Sequence, residues 1–168
     1  MQSPPIHSLC FSLALLLLLS WPFVSRAQQW VEHRPAGAGY RVEFPSPPKV
    51  ISEDHGRLVM NRASVANKDN SRALMVSHTV YLSGPMVTLG QAPQRFAQQG
   101  HQVLSRTDVT VSGKPAQRLV VKDPKGYVVE SVSVIQGRTL IQVTYASQTG
   151  EPTPQSRKFF ASFAIVPK

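Results

Sequence analysis

The chain has 168 residues, with 18 Lys and Arg against 9 Asp and Glu and a formal net charge of +9. Its one cysteine, Cys10, rules out an internal disulfide framework and a multi-thiolate metal site. The basic balance favours an anionic partner, but no basic run is longer than Arg157-Lys158, which argues against a polybasic tail.

In chain order, residues 9–19 are an almost uninterrupted apolar run, followed by Ser20-Trp21-Pro22-Phe23-Val24 and then Ser25-Arg26-Ala27. Small residues at positions 25 and 27 suit a signal peptidase, so residues 1–27 read as a signal peptide cut after Ala27. The front departs from the usual pattern, because residues 1–8 contain no Lys or Arg. Retained, the segment would be an anchor, although its apolar run falls short of the ~20 residues a spanning helix needs. Cys10 precedes the run, whereas a lipid-bearing cysteine would follow it.

Removing Arg26 from the 18 cations leaves 17 against 9 acids, a net charge of +8 for residues 28–168. That length implies one domain, here residues 39–168 behind a lead-in at 28–38. An exported chain without disulfides fits a bacterial envelope, periplasmic or secreted, better than a small eukaryotic secreted module. The polyanions within its reach would be lipid headgroups, lipopolysaccharide, other cell-wall polymers and extracellular nucleic acid.

Trp30 is expected to pack on the edge of the domain. Tyr40-Arg41-Val42-Glu43-Phe44 alternates as a strand with Tyr40, Val42 and Phe44 inward, ended by Pro45, Pro47 and Pro48. Residues 58–65 and 73–82 form a hairpin across the polar cluster Asn67-Lys68-Asp69-Asn70-Ser71. After Gly84-Pro85 a short helix begins at Ala92-Pro93, with Phe96 and Ala97 inward and Gly100 as its stop. It is too short to be stable unless docked on the sheet.

Residues 103–146 read as a four-strand antiparallel meander. Gly137-Arg138 suits a two-residue type II′ turn, which pairs Val134 with Ile141, Val132 with Val143, Ser133 with Gln142 and Ser131 with Thr144. Asp123-Pro124-Lys125-Gly126 suits a type I turn, placing Val121 beside Val128 and Leu119 beside Glu130. At Ser112-Gly113-Lys114 a three-residue loop is expected, because it sets Val103 and Val109 on Leu119's side. A last helix starts with Thr153 as N-cap and Pro154 at its first position, and Phe159, Phe160 and Phe163 form an aromatic wedge. The class is α+β: an antiparallel sheet of about six to seven strands, with a central short helix and a C-terminal helix packed on it.

No catalytic constellation stands out. His78 lies on the stripe of Leu74, Val76, Val80 and Leu82, where a histidine held by hydrogen bonds is the bland reading and an acid-base role the sharp one. Glu130 is placed among apolar residues and must be paired or shifted in pKa; a small hydrolase using Glu130 or His78 requires the two within hydrogen-bond reach of one substrate. His33, His55, His78 and His101 lack paired metal-ligand spacing, and the 67–71 cluster lacks a calcium loop's Gly at six and Glu at twelve. No cofactor is implied. The best candidate binding face carries Arg118 and Lys122 with Ser131, Ser133, Gln142 and Thr144. Aromatics are not interleaved with these charges, which disfavours single-stranded nucleic acid.

Three stretches carry a resemblance: Gly39-Tyr40-Arg41-Val42-Glu43-Phe44-Pro45, the turn Val111-Ser112-Gly113-Lys114-Pro115-Ala116, and Phe159-Phe160-Ala161-Ser162-Phe163-Ala164-Ile165. Over about residues 37–166 the chain resembles exported bacterial relatives of the PsbP-like fold, named for an extrinsic protein of photosystem II. The resemblance implies a small accessory or binding protein without a cofactor. It transfers no functional residue, since the matched positions are turn and core positions. The expected function is thus a non-catalytic exported binding or accessory protein of the bacterial envelope. The hydrolase, and adhesion to an anionic lipid or glycan, stand as alternatives.

Overall fold

The computed structural model describes residues 29–167, so the leader and its cleavage after Ala27 lie outside the described residues. Seven strands make one antiparallel sheet: β3 (Lys49–Asp54), β4 (Leu58–Ala66), β5 (Arg72–Tyr81), β6 (Gln102–Val111), β7 (Lys114–Lys122), β8 (Val128–Gln136) and β9 (Thr139–Ser147). Their spatial order is β3-β4-β5-β9-β8-β7-β6. Two meanders thus meet where β5 pairs with β9. Helix α1 (Ala92–Gln98) lies on the crossover from β5 to β6, and α2 (Pro154–Ser162) follows β9. A smaller sheet, β1 (Val31–His33), β2 (Tyr40–Phe44) and β10 (Ala164–Ile165), has β2 at its centre.

The expected α+β class and the seven-strand sheet are both present, with different membership. Tyr40–Phe44 belongs to the smaller sheet, and the edge position is taken by Lys49–Asp54, which follows Pro47-Pro48 directly. The lead-in is itself partly a strand, Val31–His33. Trp30 packs against the core, and Lys158 Nζ lies 4.5 Å above its ring centroid. Leu82, expected in a strand, follows the end of β5 and is exposed.

The β8–β9 hairpin has the register expected from its turn, with Val134 opposite Ile141 and Ser131 opposite Thr144. Gly137 has φ of +59° and Arg138 does not share the positive sign, as a type II′ turn requires. The turn before it differs by one residue. Gly126 N–H donates to Asp123 O at 2.9 Å, which is the expected type I closure. Gly126 then sits at φ +92°, and Asp123 N–H donates to Tyr127 O at 2.8 Å. This is a type I turn extended by a left-handed bulge residue. Asp123 Oδ1 favours it by accepting from the amides of Lys125 (2.9 Å) and Tyr127 (2.8 Å).

The extra residue sets Val121 opposite Val129 and Leu119 opposite Ser131. Every side chain of β7 consequently changes face relative to the expectation. The Ser112-Gly113 turn is also corrected: it is a two-residue loop with both residues at positive φ, not a three-residue one. Val109 therefore pairs with Ala116 rather than sharing Leu119's side. The two slips cancel at Val109, which still packs against the main core. A bulge at Leu104 returns Val103 to a position opposite Val121.

The sheet is covered on both sides. On one, Ala63, Val76, Val134, Ile141 and Val143 meet Tyr40, Val42 and Phe44 of β2 and Phe159 of α2. Phe159 is fully buried with its ring 5.0 Å from that of Phe44, and Phe163 lies 6.4 Å from Tyr40. Helix α2 is capped as its sequence indicates, Thr153 Oγ1 accepting from Ser156 N–H (3.0 Å) and Ser156 Oγ from Thr153 N–H (2.9 Å). On the other side, to which buried Leu119 and Val121 belong, α1 packs along β6 and the 3₁₀ turn Leu89–Gln91 meets β8. Gly100 ends α1 at φ +81°, but Ala97, expected inward, is exposed.

The aromatic seam between β2 and the large sheet continues into a histidine pair. The Tyr40 hydroxyl lies 3.2 Å from His78 Nδ1, and the His33 ring stands 6.3 Å from Tyr40 and 6.0 Å from Phe44. Burial raises the Tyr40 phenol above its ordinary range and lowers the His33 imidazole below its own.

Two outcomes are expected. Phe159→Ala should cost about 3–5 kcal/mol in a urea melt, and the half-buried Phe160→Ala clearly less; equal costs would contradict the packing described. Because the folded pKa of His33 is depressed, the unfolded chain takes up the proton first. Stability is then full above the ordinary imidazole value near 6.5 and declines as pH falls below it. Melting temperatures at pH 7.5 and 5.5 should differ less in His33→Phe than in the parent chain.

Candidate functional site

The residues expected to form one polar face are divided by the one-residue extension at Gly126. Arg118 and Lys122 of β7 share a side with Val132 and Glu130, the side that carries α2. Ser131, Ser133, Gln142 and Thr144 share the opposite side with Leu119 and Val121. That side is not a solvated polar surface, because Ser131, Ser133 and Thr144 are buried. Gln142 Nε2 donates to Ser133 Oγ at 3.1 Å, and Gln117, also buried, reaches Leu89 O of the overlying 3₁₀ turn through its amide nitrogen. The small size of Ser131, Ser133 and Thr144 leaves room for the crossover to approach the sheet closely.

Glu130 is paired. Its side chain is 13% exposed, and Arg118 donates to Oε1 from both Nε (2.7 Å) and Nη2. Its neighbours across the ladder are Val120 and Tyr145, not Leu119. His78 stands opposite Ile141 on β5, against the Tyr40 hydroxyl. Ile141 faces Val134, four residues along β8 from Glu130. His78 and Glu130 are thus two strands and four residues apart, about 16 Å by strand geometry. They cannot act on one substrate atom.

The 67–71 cluster is a hairpin turn. Asp69 Oδ1 accepts from Ser71 N–H at 3.0 Å, which holds the carboxyl below the ordinary carboxylate range. Asn67 Oδ1 accepts from Arg72 N–H at 2.9 Å. Among the described residues no group of three or more His, Cys, Asp or Glu side chains is placed to hold a metal ion, and no helix is long and apolar enough to cross a membrane.

A groove of about 410 Å³ lies between the sheet and the crossover. Its floor is Leu58, Met60, Thr79, Tyr81, Leu140, Gln142 and Ser133; its other wall is Val87, Thr88, Leu89, Ala92, Arg95, Phe96 and Gln99. Ser133 and Gln142 are the only members of the expected face that line it. Leu58, Met60, Thr79 and Tyr81 lie on the side of β4 and β5 opposite Ala63 and Val76, away from the aromatic core. The signal lay in their type, since three of those four are large and apolar. Helix α1 buries none of its side chains fully, and Leu89, Phe96, Leu58, Met60 and Leu140 are all half-buried. Two apolar walls therefore face one another without closing.

No family model and no curated protein sequence matches the chain. Solved structures do. The solution structure of cyanobacterial PsbP (CyanoP) from Synechocystis sp. PCC 6803 superposes with a TM-score of 0.56 at 12% identity, over 88% of this chain and 99% of that one. A structure from Bacteroides thetaiotaomicron VPI-5482 aligns at 12% identity over 84% of this chain and 50% of the other, with a TM-score of 0.46. The first likeness agrees with the resemblance read from the turn and core motifs. The chain thus has a PsbP-like fold, and at this identity the likeness extends to the fold alone.

Proposed function

We propose that this chain is an exported, non-catalytic binding protein of a bacterial envelope, and that its ligand site is the groove between α1 and the sheet. The observation that carries the reading is the groove itself. It falls in the size range of small-molecule sites, is walled mostly by apolar side chains and holds a few polar groups that can fix orientation. Export is supported by the apolar leader and its Ser25-Arg26-Ala27 end. The hydrolase alternative has less support, since Glu130 is engaged by Arg118 and His78 lies against Tyr40.

A second reading has one observation in its favour. Lys114, Arg118 and Lys122 recur every fourth residue on one side of β7, and all three are exposed. Such a row suits adhesion to an anionic lipid or glycan, although Arg118 is already shared with Glu130.

The groove reading is tested with a neutral apolar dye whose fluorescence rises on leaving water. Saturable binding at one site is expected, with at least a tenfold loss in Ala92→Trp, which fills the groove from its more exposed wall. Absence of saturable binding, or equal binding by the filled variant, would overturn it. Adhesion would show as vesicle binding that falls steeply between low and physiological salt and is lost in Lys114→Gln/Lys122→Gln; binding indifferent to salt would remove that reading.

A further inference from the structure

From the same groove, and resting on the reading just given, we infer a ligand class: an amphiphile with one apolar chain or ring and a single anionic head, the head paired with Arg95. Among the fourteen residues lining the groove, Arg95 is the one with a charged side chain, and no Asp or Glu is present. Arg95 is exposed while the apolar residues around it are half-buried, so its guanidinium stands at the rim and the apolar surface lies beneath. No salt bridge or side-chain hydrogen bond of Arg95 occurs among the described residues. Glu53, on β3 opposite Met60 of the groove floor, is engaged by Arg62 (3.5 Å) and His55 (3.6 Å).

The two parts of the site select different parts of one molecule. Burial of half-exposed Leu89 and Phe96 against Met60 and Leu140 drives an apolar group onto the floor, whatever its head. A neutral amphiphile would stop there. A carboxylate or phosphate at the mouth adds charge-assisted hydrogen bonds from a planar guanidinium. Gln99 lies one helical turn beyond Arg95 on the same wall and offers amide donors to the same head. A zwitterionic or cationic head gains less, because the lining holds no carboxylate to meet the positive group. The side chains thus specify both the amphiphilic character and the sign of its charge.

The test uses the mature chain and displacement of the neutral dye by two probes of equal chain length, dodecanoate and its methyl ester. The carboxylate is expected to bind about tenfold more tightly than the ester, as one charge-assisted contact would give. In Arg95→Gln the ratio of carboxylate to ester affinity should fall to about one, each probe being read against that variant's own dye affinity, with the melting temperature unchanged. Arg95→Lys should restore part of it, and high salt should lower carboxylate affinity without touching the ester. If the dye binds but carboxylate and ester compete equally, the ligand class is wrong and the groove reading stands. If the preference survives in Arg95→Gln, the assignment of the head to Arg95 is wrong. If no dye binds, both inferences fall.

Discussion

The pairing of β8 with β9 around Gly137 is the constraint on which the rest of the architecture depends. These strands lie at the middle of the sheet and are needed on both faces. Val134, Ile141 and Val143 complete the aromatic core under β2 and α2, while Ser131, Ser133 and Leu140 lie under the α1 crossover. A slip of one residue would exchange those sets, placing hydroxyls against Phe159 and valines under a helix too short to hold itself. Glycine at the first loop position, with its positive φ, makes this register the relaxed one.

From that axis the two layers differ in kind. The α2 side is closed: Phe44, Phe159 and Tyr40 are fully buried and their rings interlock. The α1 side is only partly closed, because the crossover must span from β5 to the far edge strand β6 with one short helix. It meets the sheet firmly where Gln117 reaches Leu89 O and where Leu119 and Val121 are buried. Over β4 and β5 it stands off, and the groove is what remains. Rigidity on one side and incomplete cover on the other follow from one topology.

Much of this was legible in the sequence where a local rule had no competitor. Gly137-Arg138, Thr153-Pro154 and the alternation of Tyr40, Val42 and Phe44 each pointed to one geometry, which the structure has. The turn at Asp123 was legible in type but not in length: the same four residues close a type I turn with or without an added bulge residue, and only Asp123's bonds to the following amides decide it. The face of Arg118 and Lys122 depended on that residue, so the expected polar face was divided although four of its six members were correctly grouped. The groove was less legible still. It is lined from β4, β5, β8, β9 and the crossover, and nothing local in any one of them says that the others are near. Helix α1 itself was recognisable, but which of its faces met the sheet was not, as exposed Ala97 shows.

The small sheet joins parts of the chain that are far apart: β2 near residue 40 receives β10 near residue 165, Tyr40 standing opposite Ile165. Such a closure carries a larger loop entropy than any hairpin in the structure. A nascent polypeptide emerging N-terminus first would hold Tyr40, Val42 and Phe44 without their final partners until Phe159 and Ile165 had arrived. The aromatic core is therefore complete only when both ends of the described chain are present, since Tyr40, Val42 and Phe44 are covered by Phe159 and Phe163.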